Sequence, residues 1–521
     1  MVMLSTPMDA YEGWLIALVL VALWIALVYA LYRRGYVKKE GGVSLFGPAI
    51  MLKTTRGKKF IERIGKHKIW EVYGYVGLLL SFLVMILVFL LLIWQAYMVT
   101  TIPASRAPSP VEALGIPGIN PIIPIWYGIL GLIVAIVFHE LSHGLLTAFH
   151  RLKIVSLGVL LFIVPIGAFV EPDEDELLNA QRIKRMHVFA AGPTTNIVLA
   201  IVFLLLFSLS IGAVSPAHSG VYVSSVGGLN ANEVHIGDII YSINGTKINT
   251  LKDFENANTA MPGKRVSVGV WRGGEHKINL VSGMVVMSVM KDYPAHQAGI
   301  RAGWIFYSVN GTIIRNYSDF LNALNKTHAG ERVEIVMLNN TLSHVYLNVT
   351  LADKYDYYEK YQPNLNKGEY KGKGFLGVST AFMGILPGSP SQLKQFLSNP
   401  YAGANGPSEM FRATMSLIAL PFLGLMPFPA AYENVFTVPF AGFWILVNSF
   451  YWIFWLNLML GLTNLLPAVP LDGGYLFKDL MTYLSTKLKS KNPETTASNI
   501  TTFFSLLVLI LIIWQFVGPR I

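Results

Sequence analysis

Long apolar runs alternate with short polar segments along most of the chain. Gly13–Tyr32, Trp70–Val99, Ile125–Phe149, Val188–Val214, Thr437–Leu462 and Asn499–Phe516 each approach or exceed the ~20 apolar residues that cross a hydrocarbon core. They predict six membrane-spanning helices. Ile154–Val170 is apolar but short, and Gly158, Pro165 and Gly167 break it. It predicts a re-entrant extended loop, which a membrane tolerates only where the loop is buried in protein or lines a cavity. Between residues 215 and 352 the pattern changes to polar, Gly-rich segments with the period of two that marks strands. Residues 376–436 again alternate Gly/Pro breaks with apolar runs such as Met415–Met426, and predict a surface-lying or re-entrant helix.

The polar middle contains a repeat. Gly237-Asp238-Ile239-Ile240-Tyr241-Ser242-Ile243-Asn244-Gly245-Thr246 returns 66 residues later as Gly303-Trp304-Ile305-Phe306-Tyr307-Ser308-Val309-Asn310-Gly311-Thr312. Asn-Gly between apolar alternations marks a hairpin turn, and a helix-like stretch follows each copy. Two small α/β domains in tandem are expected, at 215–283 and 284–352. Around them the chain divides into 1–124 (two helices and a polar loop), 125–214, 353–436 (linker and amphipathic or re-entrant segment) and 437–521.

Charge orients these segments. Residues 33–69 hold eleven Lys/Arg against Glu40 and Glu62, which places that loop in the cytoplasm. Counting spans from there puts the tandem domains on the outer face and the end of the 125–149 helix on the cytoplasmic side. Six Asn-x-Ser/Thr sequons in the domains (Asn244, Asn310, Asn316, Asn325, Asn339, Asn348) fit an outer face. Over the whole chain 53% of residues are hydrophobic and 13% charged, against a globular average near ~25% charged. The net charge of +10 sits in loops between apolar runs, so it reads as membrane orientation and not as a nucleic-acid surface. No cysteine is present, which excludes disulfides and thiolate metal sites. The first run follows Asp9 and Glu12 and is long, so it reads as a span and not as a cleaved signal peptide.

The candidate chemistry lies in the third run, in Phe138-His139-Glu140-Leu141-Ser142-His143-Gly144. His139 and His143 are one helical turn apart on one face, so both imidazoles can reach one cation. Glu140 lies beside that face. This is the H-E-x-x-H pattern of two zinc ligands and a carboxylate base, and it still needs a third protein ligand. Ionisable groups inside a membrane-length run are costly and mark function. The fifth run ends in Asn464-Leu465-Leu466-Pro467-Ala468-Val469-Pro470-Leu471-Asp472-Gly473-Gly474, where prolines and glycines free backbone groups at membrane depth. Asp472 reads either as a helix cap or, because its depth matches that of the histidines, as the third ligand. His150, His187 and Asp175 read as solvated helix ends.

H-E-x-x-H in one span and N-x-x-P-x-x-x-L-D-G in a later one, with an outer insertion between, resembles the site-2 protease family of intramembrane zinc metalloproteases. The likeness covers the chain from about Ile125 onward. It implies a polytopic α-helical membrane protein carrying two inserted PDZ-like α/β domains. It implies one Zn2+ per chain on His139, His143 and Asp472, with Glu140 as catalytic acid/base. Asn464 matches the residue that helps bind substrate or the oxyanion. Asn196 falls in a stretch resembling the family's G-P-x-x-N, and Gly167 and Pro467 join it as candidate substrate contacts. Segment 154–170 is similar in place to the family's membrane-embedded β-loop. The resemblance implies transmembrane substrates, chiefly single-span, within the lipid bilayer, and peptide C-termini as ligands of the PDZ-like domains. Tyr293-Pro294-Ala295-His296-Gln297-Ala298-Gly299 fits the PDZ pattern of bacterial proteases, whereas the first copy lacks it. Two readings from other classes stand beside this one. A metal transporter would need polar residues through Ile125–Val137, which offers none. A catalytically silent membrane scaffold would not need the intact Glu140.

Overall fold

The computed structural model describes residues 21–37, 42–101, 117–162, 164–257, 260–361, 365 and 367–520. They form two units, one from the chain up to Phe207 together with Leu446–Ile521, the other from Ser208–Ile445.

The first unit begins with α1 (Val21–Arg33), the described part of the first expected span; the remainder of Gly13–Tyr32 lies outside the described residues. Then come β1 (Val43–Phe46), β2 (Ala49–Thr54), α2 (Lys58–Gly65) and α3 (Ile69–Met98). Residues 33–69, expected as a cytoplasmic loop, thus hold a β-hairpin and a helix. The flanking lysines masked the apolar strands on either side of Gly47-Pro48. Next are α4 (Ile125–Phe149), β3 (Ile154–Phe162), β4 (Val164–Pro172), α5 (Glu174–Asn179) and α6 (Arg182–Gly212). The expected re-entrant loop is the β3–β4 hairpin. It belongs to an antiparallel sheet in the order β1-β2-β3-β4, and no other described strand pairs with the outer edge of β4.

The second unit opens with β5 (Ser215–Pro216), β6 (Val221–Val226), β7 (Ile239–Ile243), β8 (Thr246–Lys247), α7 (Leu251–Glu255), β9 (Arg265–Trp271) and β10 (Glu275–Val281). The second repeat follows as β11 (Met284–Val289), α8 (Pro294–Gln297), β12 (Ile305–Val309), β13 (Thr312–Ile313), α9 (Tyr317–Asn325), β14 (Arg332–Leu338) and β15 (His344–Thr350). After it run β16 (Ala352–Asp353), α10 (Lys354–Tyr361), β17 (Gly374–Phe375), β18 (Val378–Phe382), β19 (Ile385–Gly388), α11 (Pro390–Ser398), α12 (Pro407–Ala419), α13 (Ala430–Glu433) and β20 (Phe436–Thr437), which pairs with β5.

Both Asn-Gly pairs turn hairpins with positive φ at each residue, 49° and 79° at Asn244-Gly245 and 44° and 74° at Asn310-Gly311, the geometry of a type I′ turn. The sheets run β10-β9-β7-β6-β19 and β15-β14-β12-β11-β18. Neither ends at residue 352. β18 closes the second sheet and β19 the first, so the second repeat is nested inside the first. One apolar core joins them, including Val223, Ile240 and Phe254 with Val286, Phe306 and Phe382. In the first repeat Asp238, 2% exposed, is gripped by Arg272 through Nε at 2.7 Å and Nη2 at 2.6 Å. Sixty-six residues on, their counterparts are Trp304 and Leu338, so the second repeat replaces the ion pair as a unit by two apolar side chains.

The chain returns to the first unit through α14 (Phe443–Asn464), α15 (Asp472–Lys487) and α16 (Pro493–Val517). Among the described residues five helices are long and apolar enough to cross a membrane: Ile69–Thr101, Ile125–Phe149, Arg182–Gly212, Phe443–Asn464 and Pro493–Arg520. Small residues let them approach. A Cβ at Gly77 of α3 would lie 2.9 Å from Thr194 of α6, and one at Gly131 of α4 would lie 2.8 Å from the Trp452 carbonyl of α14.

Arg272→Leu alone leaves the buried Asp238 carboxylate without its cation, still held by the His235 N–H at 2.8 Å. The expected loss of stability is about 2–3 kcal/mol, below the ~3–5 kcal/mol of a fully buried pair because the Arg272 side chain is 35% exposed. Pulse proteolysis of the second unit in urea measures it.

Candidate metal centre

In α4 the buried positions Gly128, Gly131, Ala135, His139, Ser142 and Leu146 recur at helical spacing and form one protein-facing stripe. Phe138, Val137 and Ile133 point away and are exposed. His139 therefore lies on the stripe, and His143 one turn further on. Pro467 and Pro470 interrupt the chain after α14, and α15 starts at Asp472. Its first turn folds tightly onto that break. A Cβ at Gly473 would lie 2.5 Å from Leu465 backbone carbon, and one at Gly474 2.4 Å from that of Ala468. The Gly-Gly pair after Asp472 is thus what brings its carboxylate back to α4. From that turn α15 continues to Lys487.

The three side chains converge. Ligand atoms of His139, His143 and Asp472 all lie within 4.8 Å of one another. The two Nε2 atoms are 3.1 Å apart, and Asp472 Oδ2 lies 3.2 Å from His139 Nε2 and 3.5 Å from His143 Nε2. The donor set suits a divalent cation, because His143 Nδ1 lies 2.7 Å from the Val188 carbonyl. A carbonyl only accepts, so Nδ1 carries the proton and Nε2 turns its lone pair into the cluster. α6 leaves room for an ion. A Cβ at Gly192 would lie 2.5 Å from each Nε2, so any other residue there would fill the space the ligands face.

Glu140 accepts a hydrogen bond from Val170 N–H of β4 at 3.2 Å. Val170 N–H thus points away from β3, and Glu140 stands at the open edge of the sheet. The sheet is braced by a polar row: Lys53 of β2 bonds Glu171 of β4 at 2.9 Å, and Ser156 of β3 donates to the same carboxylate. Asn196 is fully buried, with Nδ2 3.1 Å from His139 Nδ1. Its neighbours tie α6 to α3, Thr194 donating to the Gly77 carbonyl at 3.2 Å and Thr195 meeting Tyr73 hydroxyl at 2.5 Å. Gly167 lies in β4 opposite Leu160, and Pro467 is buried in the break before Asp472. Asn464 ends α14 half-buried; among the described residues its side chain makes no hydrogen bond to the three ligands.

Sequence reasoning missed Val188, Val170 and Lys53. The first two act through backbone atoms, and the third lay in an apparent loop. It also misread His187, which is buried and 3.2 Å from His150; apolar packing by Tyr75 and Gly74 encloses it. Burial, with His187 and Lys184 nearby, pushes His150 down to about 4. Asp175 is exposed, as expected.

Apolar helices thus gather two histidines and a carboxylate beside a glutamate, a donor set that could hold a metal ion. The model of Peptidase family M50 matches residues 127–509, and the chain belongs to that family, which includes the site-2 proteases. It is therefore an integral membrane protein of zinc-metalloprotease type. Uncharacterized protein MJ0971 of Methanocaldococcus jannaschii is 33% identical over 49% of this chain and 67% of its own length. LL2128 of Lactococcus lactis (25% identical, 44% of this chain and 47% of that one) and SA1105 of Staphylococcus aureus (28%, 44% and 51%) are both named provisionally as zinc metalloproteases. The chain spans about half the length of those two.

Helix propensity alone favours Gly192→Ala by about 1 kcal/mol. Crowding of both Nε2 atoms is expected to win, so the variant folds but holds zinc at least ~10-fold more weakly than wild type, read by chelator competition.

Proposed function

We propose that the protein is an intramembrane zinc endopeptidase that cuts within or near the transmembrane helices of single-span substrates. The observation that carries this reading is the convergence of His139, His143 and Asp472 beside a glutamate at an open sheet edge. One zinc per chain would be held by those three residues. Bound there, it supplies Lewis acidity, which polarises a scissile carbonyl and makes water a better nucleophile at neutral pH. Glu140 takes the proton of the attacking water and delivers it to the leaving amine. Asn464 donates to the developing oxyanion.

A substrate helix hides its amides in its own hydrogen bonds and must unwind before it is cut. The outer edge of β4 offers the alternative partner by strand addition. Ala168 has the same register class as Val170, with pairs Val159–Ala168 and Leu157–Val170 and no bulge between them. Its N–H therefore also points outward, and a strand added there runs past Glu140. Gly167, small and on the same strand, leaves room for substrate side chains.

The nested repeats act as PDZ-like modules on the outer face, taking peptide C-termini or excluding bulky ectodomains, with the active site toward the cytoplasm. The Asn-Gly hairpins, the Pro-Ala-x-x-Ala-Gly stretch and the basic segment 33–69 support this arrangement.

Glu140→Gln is expected to retain zinc and lose cleavage of a model single-span protein in liposomes by ~100-fold or more. Cleavage at the wild-type rate would refute the mechanism. Ala168→Pro removes one outward N–H without touching the β3 ladder. It should lower kcat/KM about 10-fold, one hydrogen bond's worth of ~1.4 kcal/mol, at unchanged zinc content.

A further inference from the structure

Asn196 presents an unresolved hydrogen-bond problem at the centre of the site. The side chain is fully buried, its Nδ2 lies 3.1 Å from His139 Nδ1, and its Oδ1 is buried with no hydrogen-bond partner. His139 meets His143 and Asp472 through Nε2, so Nε2 is the atom available to a cation. A neutral imidazole that ligates through Nε2 carries its proton on Nδ1. That proton needs an acceptor, whereas the NH2 group of a carboxamide only donates. Turned by half a turn about its last bond, the same carboxamide presents Oδ1 to the ring, and the two orientations differ only in which end is called oxygen. His143 solves the same problem with the Val188 carbonyl, so one ligand is oriented by α6 backbone and the other by an α6 side chain.

We propose that Asn196 is a positioning residue whose side-chain oxygen accepts the Nδ1 proton of His139, holding the ring's lone pair on the metal, rather than a contact for substrate. The placement is specific. Asn196 lies one turn beyond Gly192, whose missing side chain opens the space before both Nε2 atoms. Its Cβ packs where α14 comes close at Gly461, and the whole residue is buried beside the ring. Partners of this kind fix ligand orientation, and their loss typically costs 10–100-fold in metal affinity.

This inference rests on the metal-site reading above, and the experiment separates the two. Full-length protein in detergent is stripped of metal and titrated with zinc against a chromophoric chelator, beside Asn196→Leu, Asn196→Asp and His143→Ala. Leucine keeps the volume and removes the acceptor, whereas aspartate offers an acceptor oxygen whichever way it turns. The expected result is zinc affinity ~10–100-fold weaker for the leucine variant and equal to wild type or tighter for the aspartate variant. Wild-type affinity in Asn196→Leu overturns the proposal, as does an equal loss in both variants, which would mean packing alone. If Asn196→Leu fails to fold by its thermal transition, Asn196→Asp decides: undiminished affinity supports the proposal and a drop overturns it. If wild type binds no better than His143→Ala, the metal-site reading itself falls, and this inference with it.

Discussion

Gathering two imidazoles and a carboxylate among apolar helices is unfavourable unless they find a common partner, and that cost organises the first unit. α4 brings the histidines on its buried stripe, and α15 returns Asp472 by a break that only small residues allow. α6 lies beneath both and contributes absence as much as contact. Gly192 keeps a Cβ out of the space before the two Nε2 atoms, while Val188 and Asn196 hold the far sides of the rings. The pieces are separated by more than 300 residues between His143 and Asp472, and none has a reason to be where it is without the others.

The same low-dielectric logic governs the sheet. Backbone groups buried away from water need partners, and a lone β3–β4 hairpin would leave two edges unpaired. β2 covers the β3 edge, and the Lys53–Glu171–Ser156 row ties the three strands in register. That leaves the β4 edge, and there one N–H is already taken by Glu140. Stability and chemistry thus meet on one strand. With β1 and β2 closing the far side, β4 is left as an outer edge of the sheet among the described strands.

Much of this was legible in residue order because the carriers are side chains at fixed spacing. The i,i+4 histidines, the Pro-broken segment ahead of Asp472 and the 66-residue repeat all state their geometry locally. What stayed hidden acts through backbone or distance. Val188 contributes a carbonyl, Val170 an N–H, and no side-chain pattern announces either. β1 and β2 were concealed by lysines that mark orientation as strongly as they mark loops. β18 and β19 are five and four residues long and follow a polar, Tyr-rich linker. Their pairing partners lie across the whole second repeat, which no local signal encodes. His187 looked solvated because Lys184 and Arg185 precede it, yet the helix turns it inward against α3.

α3 and β2 are therefore packed against the elements that carry the cluster and are not an appendage. α3 meets α6 through Gly74, Gly77 and Ser81, and bonds Thr194 and Thr195 directly. Those threonines immediately precede Asn196. A shift of α3 would move the α6 face that orients His139 and His143, just as loss of β2 would uncover β3. Two regions that contribute no ligand thus pack against the α6 face behind the ligands and against the strand beside the free edge. In a membrane protein, where apolar burial discriminates weakly between helix packings, such small-residue contacts and buried hydroxyls are what make one arrangement of the ligands better than the rest.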